Sequence, residues 1–147
     1  MNILKEKLKG VRIAGIDYGT KRIGIAVCDE LHISVKPVET VLTDKENYID
    51  EICRILTAER IGAIVLGMPD TFDGQKTEFH GKIQKFGDTI RNELNSEIYY
   101  VDESFSSMDA ATFMVNYGIK KKERAKKGTL DKYAALMILQ QFLDELE

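Results

Sequence analysis

Two β-branched runs separated by a four-residue turn constrain the start of this chain more than any other feature. Residues 11–17, VRIAGID, and 22–28, RIGIAVC, place Val11, Ile13 and Ile16, then Ile23, Ile25 and Val27, in part-alternation, a pattern that suits a pleated surface. The turn at 18–21 is too short for a crossover, so the two strands must run antiparallel. Residues 29–30 mark a second turn, and 32–42 predict a third strand interrupted by Pro37. A proline gives no N–H to a ladder, which puts that strand at an edge.

After this meander the periodicity changes. Ile49, Ile52, Cys53 and Leu56 trace one face of a helix over 45–60, and 61–67 follows as an apolar strand of the kind buried on both faces. Phe79, Ile83, Phe86, Ile90 and Leu94 predict another helix, and 98–101 another strand. Ser106 with Asp109 reads as a capping box, Gly118 as the stop of the helix it opens, and Thr129 as the N-cap of a last helix. Leu130, Ala134, Met137 and Ile138 are expected on one face of that last helix. The order β-β-β-α-β-α-β-α-α predicts an α/β fold, a mixed sheet covered by helices, in a single domain spanning 1–147.

Composition excludes several classes. With 44% hydrophobic and 31% charged residues, the chain is neither disordered nor membranous, and no apolar stretch reaches the length of a span. Lysines and a glutamate interrupt the first ten residues, so no secretory signal and a cytoplasmic location are expected. Cys28 and Cys53 lack a CxxC partner and read as two buried thiols. His32 falls in the third strand and His80 reads as a surface residue near a helix start, with no nucleophile–base pattern around either.

The acidic residues carry the chemistry. Asp17 ends the first strand, Glu103 follows the strand at 98–101, and Asp131 opens the last helix. These are positions from which one sheet can gather carboxylates at its carboxyl edge. Clustered carboxylates repel unless a cation compensates them, and oxygen-only donors suit Mg²⁺ or Mn²⁺ rather than structural zinc. A turn cap is the competing role for Asp17. Gly19 permits a tight turn, and Thr20, Lys21 and Arg22 supply phosphate donors, although the spacing is neither GxGxxG nor Walker A. The segment KKKERAKK at 120–127 holds six basic residues against one acid, in a chain whose net charge is −3. A local block of this kind attracts phosphate backbones; its alternative is a solvated loop. Together these features predict a metal-dependent nuclease.

Four motifs in order, GIDYGTKRIGIAVCD at 15–29, VLGMPDTFDG at 65–74, YVDESFSS at 100–107 and LDKYAALMILQQFL at 130–143, make the chain resemble the YqgF/RuvX family, the Holliday-junction-resolvase-like pre-16S rRNA nucleases. The resemblance runs from about residue 12 to 143. It implies a ribonuclease H-like fold with a five-stranded sheet in the order 3-2-1-4-5 and strand 2 antiparallel to the rest. It also implies Asp17, Glu103 and Asp131 as metal ligands and catalytic residues, with Asp102 accompanying Glu103. Thr20, Lys21 and Arg22 would lie near the scissile phosphate, and Gly67, Pro69, Asp73 and Gly74 would border the cleft. Ser104 and Phe105 stand where the family has arginine and leucine, which removes a fork-shaped phosphate donor.

The expected activity is phosphodiester hydrolysis in 5′-end processing of pre-16S rRNA. Holliday-junction or branched-DNA cleavage is the enzymatic alternative, and noncatalytic nucleic-acid binding the alternative of another class. Expected partners are RNA ahead of branched DNA, and pre-ribosomal particles, with no membrane; the chain itself is expected as a monomer or weak homodimer. Lys121, Lys122, Lys126 and Lys127 are expected to form a mobile clamp on that nucleic acid.

Overall fold

A computed structural model describes residues 3–69, 77–103 and 107–146. The expectations placed on Asp73, Gly74, Ser104, Phe105 and Ser106 lie outside those residues. A short helix α1 (Ile3–Lys7) precedes the meander β1 (Ile13–Tyr18), β2 (Arg22–Cys28) and β3 (Val35–Leu42). Alternation follows: α2 (Tyr48–Ala58), β4 (Ala63–Met68), α3 (Glu78–Leu94), β5 (Glu97–Asp102), α4 (Ser107–Tyr117), α5 (Lys121–Arg124) and α6 (Thr129–Leu146).

The five strands form one sheet in the order β3-β2-β1-β4-β5. β2 is antiparallel to both β1 and β3, whereas β4 runs parallel to β1 and to β5. This is the mixed sheet expected from the residue pattern, in the order that the family resemblance implies. Pro37 pairs with Ala26 on the edge strand, beside a register shift that leaves Val38 as an extra residue. The bulge absorbs the donor that the proline lacks.

Side-chain alternation gives the sheet two apolar faces. Ala14, Ile16, Ile23, Ile25, Ile64 and Leu66 pack against α2 and α3 through Ile52, Leu56, Ile83, Phe86 and Ile90. Ile13, Cys28, Ala63 and Val65 face the other way, onto Ile138, Leu139, Phe142 and Leu143 of α6. β4 is buried along its whole length, as its unbroken apolar run requires when helices cover both faces.

Several local expectations differ from the structure. Thr129 is not a cap: it lies within the first turn of α6, buried, and its hydroxyl donates to the Glu123 carbonyl. The buried residues of α6 include Tyr133, Leu136, Leu139 and Phe142, whereas Leu130 is exposed. A stripe read from one face fails because the sheet covers one side of α6 and α4 another. His32 is not in a strand; it takes a left-handed φ of 59° in the turn before β3, its ring bonded to the Val11 carbonyl. Cys28 is buried, but Cys53 is only half-buried. Gly118 does end α4, with a φ of 92° that a side chain rarely adopts.

Candidate functional site

Asp17 is the last-but-one residue of the central strand, paired across to Gly24 of β2. It shares a face with Gly15, where an added Cβ would meet Ala135 O and Leu139 Cβ at 2.7 Å, so its carboxylate projects on the α6 side. Two glycines shape the space around it. A Cβ at Gly24 would lie 2.1 Å from the Asp131 carbonyl oxygen, so the missing side chain lets the first turn of α6 settle directly on β2. A Cβ at Gly67, one residue beyond the Leu66 that pairs with Ile16, would lie 2.6 Å from Glu103 Oε1. The Glu103 carboxylate therefore lies over β4, on the strand adjoining Asp17. Its backbone N–H donates to the Met68 carbonyl at 2.8 Å, which fixes the chain just past β5.

Asp17 feels the charge of both other acids. Burial, then the charge of Glu103, then that of Asp131 push the Asp17 carboxyl from an ordinary 3.8 up to about 7. Burial also raises Glu103. Asp131 is held differently, for its Oδ2 accepts from Arg22 Nε at 2.9 Å in an ion pair. Arg22, expected as a phosphate donor, is thus the counter-ion of a candidate metal ligand. Asp102 is exposed, and its carbonyl accepts from Gln141 Nε2.

Among the described residues, no three His, Cys, Asp or Glu side chains are placed close enough together to hold a metal ion as they stand. The donor set nevertheless fits a hard divalent cation. All three groups offer carboxylate oxygens, and the deficit registered at Asp17 is one that a positive ion relieves.

Beside the acids, the β1–β2 turn is clamped to the start of the loop after β3. The Thr43 N–H donates to the Lys21 carbonyl at 3.1 Å, and the Thr43 hydroxyl to the Thr20 carbonyl. A cavity of about 500 Å³ opens there, lined by Thr20, Lys21, Arg22, Thr43 and Lys127 among others. Four of the expected phosphate-binding residues thereby share one wall. Lys121, Lys122 and Lys126 do not line it. Lys121 and Lys122 are exposed on α5, and Lys126 pairs with Glu123 at 3.1 Å. Residues 121–124 form a helical turn rather than a loop, with Arg124 Nη1 donating to the Ile119 carbonyl at 2.6 Å.

His80 is a correction. It is buried, not a surface residue, and it closes a capping box at the start of α3. The Thr77 N–H donates to Nδ1 at 3.1 Å, which leaves Nε2–H to donate to the Pro69 carbonyl at 2.7 Å. The spacing Thr77-x-x-His80 was the available signal, read in the familiar motif with Glu or Gln in the last place. Gly24 and the Arg22–Asp131 pair had no sequence signal of their own, since both depend on the register of distant segments.

The family profile described as RuvX, Holliday junction resolvase, matches residues 11–145. A protein of Chlorobium luteolum is 36% identical over 140 residues, covering 95% of this chain and 97% of its own. One from Bacteroides fragilis is 35% identical over 134 residues, covering 90% and 96%, and one from Lactococcus lactis subsp. cremoris is 32% identical over 136 residues, covering 90% and 94%. All three carry the provisional name pre-16S rRNA nuclease. Among solved structures, Thermus thermophilus RuvC in complex with a Holliday junction superposes with a TM-score of 0.58 at 16% identity, covering 92% of this chain and 95% of that one. That likeness concerns the fold.

Proposed function

Since this chain belongs to the RuvX family, we propose that it is a divalent-metal-dependent nuclease whose substrate is the 5′ end of pre-16S rRNA. The observation that carries the reading is the Asp17 carboxyl at the sheet edge, which burial, then the charge of Glu103, then that of Asp131 push up to about 7. Asp17 and Asp131 would hold Mg²⁺ or Mn²⁺, with Glu103 either a further ligand or the group that positions the attacking water. The chemistry that such an ion supplies when bound is charge neutralisation at the phosphate and acidification of water.

The remaining work falls to the protein. Glu103, raised by burial, accepts a proton more readily than a free carboxylate and suits the role of base toward attacking water. Lys21 and Lys127 in the cavity wall offset phosphate charge, and Thr20 offers a hydroxyl at the same wall. Arg22 sits between the two functions, bound to Asp131 on one side and lining the phosphate cavity on the other.

Asp17→Asn removes a charged ligand at constant volume. It is expected to abolish Mg²⁺- or Mn²⁺-dependent cleavage while leaving the circular dichroism spectrum intact. Precursor rRNA ends and four-way DNA junctions assayed side by side identify the substrate. Full activity of purified Asp17→Asn would remove the mechanism, and tight binding without product on any substrate would leave a noncatalytic binding protein.

A further inference from the structure

The carboxylates occupy only one side of the sheet edge. On the opposite side, a second cavity of about 350 Å³ lies between the end of β1, α2 and α3. Its walls include the rings of Tyr18, Tyr48 and Phe86, and its rim carries Lys82 and Lys85. Thr20 lines this cavity and also the one beside the acids, so the two meet over the β1–β2 turn. We propose that this second cavity is a subsite for one unpaired nucleotide of a single-stranded segment that crosses the sheet edge over Thr20. The proposal rests on the nuclease reading for the identity of the polymer.

Shape and chemistry select that occupant. The volume suits a single small group rather than a duplex. Tyr18 is held by Phe86, with ring centroids 4.9 Å apart, so a rigid aromatic wall is already in place. Base–aromatic stacking of this kind needs an unpaired base and tolerates any sequence. Tyr18 and Tyr48 approach each other closely enough for burial and the Tyr48 phenol to raise the Tyr18 phenol. A phenol is in any case protonated at neutral pH, so Tyr18 offers a hydroxyl donor to the cavity. Lys82 and Lys85 lie three residues apart on α3, both exposed, and neither makes an ion pair among the described residues. Two unpartnered like charges one turn apart work slightly against the helix. A phosphate bridging them removes that penalty.

The test is carried out in excess chelator, where binding is read without cleavage. A fluorescein-labelled hexaribonucleotide bearing one 4-thiouridine is titrated by anisotropy and then photo-crosslinked, with a hexadeoxynucleotide, a blunt duplex and free 5′-AMP as further arms. The expected crosslinks fall on peptides containing Tyr18, Tyr48 or Lys85. Lys82→Gln/Lys85→Gln is expected to weaken single-strand binding about tenfold and to flatten its salt dependence. Tyr48→Leu is expected to weaken single strands about fivefold and the duplex hardly at all. Thermal melts establish that each variant is folded.

Equal responses of the ribo- and deoxyribo-hexamers keep the subsite and assign it to single strands of either sugar. Unchanged affinity in both variants, or crosslinks confined to other peptides, overturns it. Saturable 5′-AMP binding with no effect of the variants on the hexamer also overturns it, in favour of a mononucleotide site. Crosslinking at the cavity by a protein that cleaves nothing with Mn²⁺ would keep the subsite and remove the nuclease reading; cleavage with no cavity response would do the reverse.

Discussion

Arg22 Nε donates to Asp131 Oδ2 at 2.9 Å, joining the first residue of β2 to the first turn of α6 across the mouth of the candidate site. A cation that uses the Asp131 carboxylate competes with this guanidinium, whereas a phosphate gains from it. Arg22→Gln is therefore expected to bind Mn²⁺ several-fold more tightly by isothermal titration and short oligonucleotides several-fold more weakly. The pair is partly exposed, so the loss of stability should be at most about 1 kcal/mol. Weaker metal binding in the variant would show that Arg22 orients Asp131 rather than opposing the ion.

The two glycines beside Asp17 should separate stability from chemistry. At Gly24 a new methyl meets backbone, the Asp131 carbonyl at 2.1 Å, and α6 must shift as a unit. Gly24→Ala is expected to cost about 2–4 kcal/mol by denaturant titration. At Gly67 the nearest atoms are Glu103 Oε1 and Ile138 Cδ1, both at 2.6 Å and both at the ends of side chains. Gly67→Ala should cost about 1–2 kcal/mol yet displace the carboxylate. A loss of cleavage out of proportion to the change in melting temperature is the expected result.

Much of this was legible because the strongest signals were local. The 18–21 turn dictated an antiparallel pair, Pro37 demanded an edge, and the apolar run before Gly67 demanded cover on both faces. Asp17, Glu103 and Asp131 were legible as chain positions, since strand ends and a helix start meet at one edge. Contacts set by register were not. Gly24 matters only because it pairs with Asp17 and lies under Asp131, and nothing near residue 24 in sequence announces that. The buried face of α6 was misread because two layers cover it, and His80 because its partner, the Pro69 carbonyl, is eleven residues away.

Asp17 gives the metal-free protein a pH dependence of definite sign. Its folded pKa, about 7, is above its ordinary 3.8, so the folded state binds that proton more tightly than the unfolded state. The stability linked to this group is complete below about pH 3.8 and is lost as pH rises through about 7. The full penalty is on the order of 4 kcal/mol. In excess chelator, Asp17→Asn should melt several degrees above the wild type at pH 8, with the gap narrowing toward pH 5. Added Mn²⁺ should raise the wild-type melting temperature at pH 8 and leave that of the variant nearly unchanged. A constant gap across the pH range would show that Asp17 does not carry the buried charge.

The basic segment divides into cations that face solvent and one that holds structure. Lys121, Lys122, Lys126 and Lys127 are exposed, and Lys127 also lines the cavity beside Arg22. Arg124 instead donates to the Ile119 carbonyl, and the neighbouring Glu123 carbonyl accepts from buried Thr129. Replacing the four lysines with glutamine should lower nucleic-acid affinity at least tenfold at low salt and reduce the slope of log affinity against log salt by about 2–3. The melting temperature should move little, because among the described residues the one ion pair these lysines lose is the exposed Lys126–Glu123 pair. Arg124→Gln should behave in the opposite way, costing about 1–2 kcal/mol through the orphaned carbonyl while changing the salt slope by less than the lysines do. Affinity that is insensitive to the four lysines across a salt series would return 120–127 to a solvated surface segment. The phosphate beside the acids would then be held by Thr20, Lys21 and Arg22, and the acidic site could still be catalytic without the segment acting as a clamp.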